Sequence, residues 1–171
     1  PDDMKGLKMR TPPIDSIIRT MTALGANPQQ VPYGETYMAL KTNVVDGQEN
    51  PCSNIAEMKF YEVQKYFTEV NYQIHPDPFF VSLAWYEALP TELKAVFDSA
   101  AKAAMARSDE IWLASEKDYQ TLLTQKLQPN KVTPENYRAF VAKVKPVWDH
   151  YVSAGYFTRA EIDEALAQAA R

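Results

Sequence analysis

The stretch LKMRTPPIDSIIRTMTALGANPQQVPY, residues 7–33, predicts a β-α-β unit and with it the class of fold. Residues 7–11 are strand-like, and two prolines then open a helix whose apolar residues recur at helical spacing. Gly25 follows the last of these apolar residues, at the position where helices commonly end. Residues 29–33 form a second short strand in this prediction. A helix between two strands favours a parallel pair.

The same alternation continues to about residue 90. The expected elements are helices over residues 35–45 and 53–66 and strands over residues 67–74 and 79–83. A dense polar turn, VVDGQENP at residues 44–51, separates the two helices, and prolines at 76 and 78 separate the two strands. We therefore expect residues 1–90 to form an α/β lobe with parallel strand pairs.

The second half of the chain predicts helices only. Residues 91–127 lack proline and glycine and are rich in alanine, which indicates one long helix or two with a bend. Unbroken, this helix would be about 55 Å long, whereas a compact chain of this size is about 40 Å across. Its apolar stripe comprises Leu93, Val96, Phe97, Ala100, Ala104 and Ile111. Two more helices are expected, over residues 134–151 and 158–170, the latter with a capping box of Thr158 and Glu161.

Composition and charge exclude several classes of protein. The chain has 171 residues, of which 46% are hydrophobic and 23% charged, as in a soluble globular protein. The net charge of −4 argues against a nucleic-acid partner, because proteins that bind the phosphate backbone carry a basic face. No run of eighteen apolar residues occurs, so no segment is expected to span a membrane.

The residues that usually carry catalysis or bind metal form no recognisable motif. Cys52 is the only cysteine, which excludes an intrachain disulfide, a thiolate zinc cluster and a CxxC redox pair. His75 and His150 have no serine or cysteine nucleophile motif near them, and the five glycines form no phosphate loop. The DGQEN sequence breaks the ligand spacing of an EF-hand at Pro51. We expect no enzyme activity, no metal and no cofactor.

Arg10 is the most informative polar residue of the first strand. It lies between Met9 and Thr11 in a segment where a guanidinium is normally unwelcome. At the end of a strand facing a crevice, its planar fork of donors can hold a carboxylate through two parallel hydrogen bonds. The alternative is an edge-strand arginine in a salt bridge. The spacing alone favours neither.

Three linked segments resemble the solute-binding receptors of TRAP transporters, the DctP-like family of tripartite ATP-independent periplasmic carriers. They are GLKMRTPP, then ALGANPQQVPYGETYMALKTNVVDGQENP, then KFYEVQKYFTEVNYQIHPDPFFVS, in the order and spacing typical of that family. The match covers residues 5 to about 100. It implies a periplasmic-binding-protein-like fold of two α/β lobes, with the ligand enclosed between the lobes by hinge closure.

The resemblance also assigns candidate ligand-binding residues. The family's carboxylate-binding arginine falls on Arg10, although Thr11 stands where valine is usual. A pocket-lining aromatic residue falls on Tyr33, and the asparagine that bonds the ligand falls on Asn50. Tyr72 matches a site-lining position that varies among members. Asn50 can both donate and accept hydrogen bonds, but it could instead cap the helix that follows it.

The organisation implied by the resemblance is a C-terminal portion of a receptor. Residues 1–90 would be the second lobe, residues 91–171 the interlobe and C-terminal helices, and the N-terminal lobe would be absent from the chain. The expected function is an extracytoplasmic, periplasmic receptor that binds a small organic acid and delivers it to the TRAP permease membrane subunits. The alternative is a ligand-binding sensor domain or an enzyme on a related fold. The identity of the acid is left open, because Arg10 requires only a carboxylate.

Overall fold

The computed structural model describes residues 1–74 and 76–169. Its strands are β1 (Lys8–Thr11), β2 (Asn27–Gln30), β3 (Gly47–Gln48), β4 (Tyr66–Thr68) and β5 (Gln128–Asn130). Its α-helices are α1 (Asp15–Ala23), α2 (Thr36–Lys41), α3 (Cys52–Glu57), α4 (Leu83–Glu87), α5 (Thr91–Lys126), α6 (Pro134–Ser153) and α7 (Arg159–Ala169). The mixed α/β class expected from the sequence is confirmed.

The first three strands form a parallel sheet in the order β2-β1-β3. In this sheet Arg10 pairs with Gln29 on one side and with Gln48 on the other. The chain therefore leaves β1, adds β2 on one edge, and crosses over to add β3 on the opposite edge. This reversal makes the gap between β1 and β3 a topological switch point.

Helix α1 ends where the sequence predicts. Gly25 has a φ of +91°, a left-handed conformation that glycine adopts without a Cβ clash. Its N–H donates to the Thr22 carbonyl at 2.9 Å, and the N–H of Ala26 donates to the Met21 carbonyl at 3.0 Å. This pair of bonds is a Schellman motif, which satisfies the last carbonyls of the helix and turns the chain into β2.

Two hydrophobic clusters hold the helices to the sheet. One joins Met9 of β1 to Met21 of α1 and to Leu24 just after that helix, with Phe140 and Val144 of α6 packed against them. The other combines buried residues of α2, α3 and α5 with buried residues of the segments that follow them, namely Ala39, Leu40, Val45, Cys52, Ile55, Ala56, Phe60, Leu123 and Leu127. The sheet is thereby fixed, and so are the loops at the ends of its strands.

Helix α5 is continuous over 36 residues, so the predicted long helix is one helix. Only its C-terminal part joins a core, through Tyr119, Leu122 and Leu123. The predicted apolar stripe lies largely in solvent, with Leu93, Val96 and Ile111 more than half exposed. Phe97 is the exception, because Phe79, Trp85 and Tyr86 pack around it. Within the described residues, no helix has both the length and the apolar composition required to cross a membrane.

Several predicted boundaries are wrong, and left-handed residues explain two of them. The helix predicted over residues 35–45 ends at Lys41, because Asn43 adopts a φ of +57°. The helix predicted over residues 53–66 spans only Cys52–Glu57, because Lys59 adopts a φ of +54°. A left-handed residue interrupts the helical hydrogen-bond ladder.

Three strand predictions also need correction. β2 lies at Asn27–Gln30 rather than 29–33, and β4 at Tyr66–Thr68 rather than 67–74. Residues 79–83 form no strand; Ser82 instead caps α4 by accepting a hydrogen bond from the N–H of Trp85 at 3.5 Å. β5 was not predicted; it pairs in parallel with β4.

The two C-terminal helices agree with the prediction. α6 begins at Pro134, with Thr133 as its cap. Ahead of α7, the N–H of Thr158 donates to the Glu161 carboxylate at 2.7 Å and the N–H of Glu161 donates to the Thr158 hydroxyl at 3.3 Å. This is the predicted capping box. The predicted last residue, Ala170, lies outside the described residues.

Candidate functional site

The candidate site lies at the carboxyl edge of the parallel sheet. Arg10 is the third of the four residues of β1, Tyr33 follows β2 by three residues, and Asn50 follows β3 by two. In open α/β sheets, ligands bind outside the carboxyl ends of the strands, in the crevice at the switch point. The topology therefore brings three of the four predicted residues to the edge where a ligand is expected.

Arg10 is buried and anchored through one nitrogen. The residue is 4% exposed, and its Nε donates to the Val31 carbonyl at 2.9 Å. Among the described residues, this is the only hydrogen bond from the guanidinium to protein atoms. A guanidinium has five N–H donors, so its two terminal amino groups are left to bind another acceptor. The arrangement suits a carboxylate held through two parallel bonds.

The charge of Arg10 is supported by its neighbours. Burial lowers the pKa of the guanidinium, because desolvation disfavours the charged form. The Glu49 carboxylate opposes that effect, as does Tyr33 to a smaller extent. An arginine starts from so high a pKa that it stays protonated at any physiological pH. The crevice therefore presents a fixed positive charge.

Tyr33 lies beside the guanidinium and is held at both ends. The Arg10 guanidinium carbon lies 5.7 Å from the centre of its ring. The ring packs edge-on against buried Phe60, with centroids 6.1 Å apart. Its hydroxyl accepts a hydrogen bond from Asn54 Nδ2 at 3.0 Å. An aromatic wall of this kind can cover the apolar part of a ligand whose carboxylate is on Arg10.

Asn50 belongs to the turn that follows β3. Its Nδ2 donates to the Gln48 side-chain oxygen at 2.6 Å, which braces the turn from inside. The alternative role as a helix cap is not supported, because the cap position of α3 is occupied by Pro51. Gln48 pairs with Arg10 in the sheet, so Asn50 is only two residues from the partner of that arginine.

Tyr72 comes from the segment after β4 and contacts the same turn. Its hydroxyl donates to Glu49 Oε2 at 2.6 Å. Burial of the hydroxyl, followed in importance by the adjacent carboxylate, raises the pKa of Tyr72 well above its usual value. Tyr72 thus stays a neutral donor. Tyr33 and Tyr72 are each 37% exposed, so this wall of the crevice faces solvent.

Sequence reasoning missed three participants. The Val31 carbonyl that anchors Arg10 is a backbone group, which carries no sequence signal. Asn54 contributes by holding the hydroxyl of Tyr33, and only the folded geometry of α3 reveals it. Glu49 is the third, because its carboxylate accepts the hydroxyl hydrogen of Tyr72 and counteracts the lowering effect of burial on the pKa of Arg10.

A second cavity and the single cysteine lie outside the crevice. A shallow cavity of about 500 Å³ between the end of β4 and the start of α6 is lined by Glu69, Thr133 and Tyr137, among others, with no basic residue. Cys52 is buried, which raises the pKa of its thiol to about 12, with Glu116 contributing, and makes it unreactive. No group of three potential metal ligands occurs in residues 1–74 and 76–169. His75 lies outside that part of the chain.

A parallel α/β sheet with a buried arginine at its switch point is typical of lobes that bind an anionic ligand. Residues 1–154 match the DctP family, described as Bacterial extracellular solute-binding protein, family 7. The chain belongs to this family.

Individual relatives agree with that assignment. The C4-dicarboxylate-binding periplasmic protein DctP of Vibrio cholerae serotype O1 is 34% identical over 152 residues, which are 88% of this chain and 46% of that protein. A TRAP periplasmic solute-binding protein of Shewanella oneidensis, solved with bound succinate, has a TM-score of 0.80 at 29% identity. The aligned part is 89% of this chain and 50% of that protein. A TRAP periplasmic solute-binding protein of Chromohalobacter salexigens, solved with bound d-glucuronate, has a TM-score of 0.84 at 27% identity. The aligned part is 98% of this chain and 54% of that protein. The chain spans about half the length of the relatives it matches.

Proposed function

We propose that this chain supplies the carboxylate-binding half of an extracytoplasmic TRAP receptor. The receptor binds a small organic acid in the periplasm and delivers it to membrane permease subunits, without catalysing a reaction. The observation that carries the proposal is the Arg10 guanidinium. It is anchored through Nε to the Val31 carbonyl at the carboxyl edge of the sheet, with both terminal amino groups left to bind an acid.

The other candidate residues have complementary roles in this proposal. The ligand carboxylate forms two parallel bonds with Arg10. Tyr33 covers the carbon skeleton next to the carboxylate, and the Asn50 amide tests the orientation of the ligand's polar groups. Tyr72 lines the side of the crevice nearest Glu49. These roles suit both succinate and a uronate, the ligands of the two solved relatives.

A second lobe completes the site in this proposal. Tyr33 and Tyr72 are each 37% exposed, so part of each ring is left for a second lobe to cover. Two relatives about twice as long as this chain were solved with a bound ligand. We propose that a preceding lobe of the same protein provides the opposite wall and closes on the acid by a hinge movement. Residues 1–90 then act as the second lobe and residues 91–171 as the connecting and C-terminal helices.

The test is calorimetry on the intact receptor with succinate and d-glucuronate as probes. Arg10→Lys should weaken binding as much as Arg10→Ala, because an ammonium cannot reproduce two parallel bonds. The expected loss is about 2–5 kcal/mol of binding free energy, the usual effect of removing one partner of a hydrogen-bonded charge pair.

A matched control is Arg19→Lys, because Arg19 pairs with Asp15 on the exposed surface of α1. This control should leave binding unchanged. Full affinity in the Arg10→Lys variant would contradict the assignment of Arg10 as the carboxylate-binding residue.

A further inference from the structure

Strand β3, which leads into the turn with Asn50, is too short and too polar to fix its own place in the sheet. It consists of Gly47 and Gln48, and neither has an apolar side chain. The register of a strand is strongly specified where one apolar face is buried, whereas polar or glycine-rich strands are prone to slip. A slip of one residue would move the turn about 3.3 Å along β1 and displace Asn50 relative to Arg10.

Asp46 holds the start of β3 against β1 at two points. Its backbone N–H donates to the Lys8 carbonyl at 2.8 Å. Its carboxylate Oδ2 accepts a hydrogen bond from the Lys8 backbone N–H, also at 2.8 Å. The side chain therefore takes the place of the carbonyl that a longer β3 would offer to that N–H. Both bonds are made to one residue of β1, so a shift by one residue in either direction would break both.

The two strands also lie unusually close together at the next residue. Met9 of β1 pairs with Gly47, and a Cβ on Gly47 would lie 2.8 Å from the Met9 sulfur. Met9 is itself buried. Gly47 thus permits the close approach of β3, but a residue without a side chain cannot select the register.

We propose that Asp46 is a positioning residue of the binding crevice: the hydrogen bond that its carboxylate accepts from the Lys8 N–H fixes the register of β3 against β1. By fixing that register, Asp46 also fixes where Asn50 lies relative to Arg10. This inference rests on the proposed function, because the role of Asn50 in binding belongs to that proposal. In this role Asp46 needs no contact with the ligand.

The hydrogen bond matters here more than the charge of Asp46. Its Oδ1 lies 3.7 Å from the Lys8 ammonium nitrogen, but the two side chains are 37% and 41% exposed. Ion pairs as exposed as this one contribute little, because water screens them. The bond to the backbone N–H is shorter and directional, and it identifies one position along β1.

Amide hydrogen exchange in the intact receptor without ligand tests the register. Asp46→Leu keeps the approximate size of the side chain but removes the acceptor, so the Gln48 amide in the β1–β3 ladder should exchange roughly tenfold faster. Asp46→Asn loses the charge but keeps an oxygen acceptor, so Gln48 should stay protected. The internal control is the Asn27 amide, which donates to the Leu7 carbonyl at 2.7 Å on the other side of β1. Its exchange should not change in either variant.

Calorimetry tests the consequence for binding, with succinate or d-glucuronate as the probe, whichever binds the unmodified receptor more tightly. Asp46→Leu should raise the dissociation constant roughly threefold to tenfold, the usual effect of losing one neutral hydrogen bond. Asp46→Asn should bind like the unmodified receptor. In an Asn50→Ala background, Asp46→Leu should have no further effect, because Asp46 acts on the ligand only through the placement of that amide.

A Gln48 amide that stays protected in Asp46→Leu would overturn the inference, since burial of the preceding Val45, which is 1% exposed, would then set the register alone. Equal acceleration of the Asn27 amide would also overturn it, because that is the behaviour of a residue that stabilises the whole lobe.

Two results in the binding experiment would contradict the inference as well. One is an Asp46→Asn variant as weak as Asp46→Leu, which would assign the effect to the charge. The other is additivity of Asp46→Leu and Asn50→Ala, which would show that Asp46 acts by another route. If the unmodified receptor bound neither acid, the proposed function would fail alone, because the exchange measurement needs no ligand.

Discussion

At the scale of single residues, polar groups in a buried strand are the informative ones. Arg10 and Thr11 are adjacent, and both are buried. The sequence identifies Arg10 as unusual, because a strand of this kind seldom contains a guanidinium. It does not identify Val31 and Asn54, which hold Arg10 and Tyr33, since those contacts exist only once the loops are folded. Thus the charged group was predictable, whereas the residues that orient it were not.

Thr11 should be replaceable with a gain in stability. It is fully buried, and its hydroxyl is one of the buried atoms without a hydrogen-bond partner in the described part of the chain. Thr11→Val keeps the shape of the side chain and removes the unsatisfied group. We expect the free energy of unfolding to rise by about 1 kcal/mol, measured by urea denaturation.

Thr36 provides the matched control for this prediction. It is equally buried, but its hydroxyl donates to the Pro32 carbonyl at 3.3 Å. Thr36→Val should therefore lower stability, because it leaves that carbonyl without its partner. A Thr11→Val variant that loses stability like Thr36→Val would show that the Thr11 hydroxyl has a partner, such as a buried water.

At the scale of elements, short sequence patterns predict helix ends correctly, whereas strand pairings between distant segments are not predicted. Gly25 and the Thr158–Glu161 box act within a few residues, so the sequence pattern contains all the information needed. The early end of α3 depends on a left-handed lysine, Lys59, for which the residue type gives no warning. β5 is stabilised only by pairing with β4, from a distant part of the chain, and so has no local signature.

Replacing Gly25 should destabilise the C-terminal end of α1. Gly25→Ala places a Cβ on a backbone with a φ of +91°, where L-residues are strained. We expect a loss of about 1–2 kcal/mol in the free energy of unfolding. Gly34→Ala is the control, because nothing lies within 4 Å of a Cβ there and its φ is not left-handed. Equal effects of the two substitutions would contradict the Schellman assignment.

The start of α7 should depend on pH. Hydrogen bonds from Thr158 lower the pKa of Glu161 below its ordinary value of 4.5. A carboxylate whose pKa is lower in the folded state stabilises the fold above its unfolded pKa. That stabilisation is lost as the pH falls from 4.5 through the lower folded value. Amide hydrogen exchange in the first turn of α7 should accelerate over this range.

Two substitutions check the origin of that pH dependence. Glu161→Gln should remove much of it, because the amide cannot gain or lose the charge that strengthens the box. Glu164→Gln, at a side chain that accepts from Gln168 and not from the helix cap, should preserve it. Unchanged pH dependence in Glu161→Gln would assign the effect to another carboxylate.

At the scale of the whole molecule, the main feature is the length of α5. The missing helix breakers predict one long helix or two with a bend, and the structure shows one continuous helix. The fold also leaves large apolar side chains exposed to solvent around α4 and in the first half of α5. Phe80, Leu83 and Val96 are between 64% and 82% exposed. Monomeric soluble proteins seldom expose large contiguous apolar patches.

These 171 residues, produced alone, should therefore self-associate. Light scattering over a concentration series is the measurement, and the apparent mass should rise above the 19.4 kDa of one chain. Under the proposed function, succinate should bind far more weakly than in the intact receptor, because these residues alone lack the wall and the hinge closure that the proposed second lobe would provide. A stable monomer with micromolar affinity for an organic acid would contradict this prediction.

The central claim is that an organic acid binds with its carboxylate on Arg10, between the carboxyl ends of β1 and β3. The most direct measurement is a crystal structure of the intact receptor with succinate or d-glucuronate. We predict that both carboxylate oxygens lie within about 3 Å of the terminal amino groups of Arg10, with Tyr33 against the carbon skeleton. A ligand carboxylate bound elsewhere, such as in the cavity beside Glu69 and Tyr137, would contradict the account.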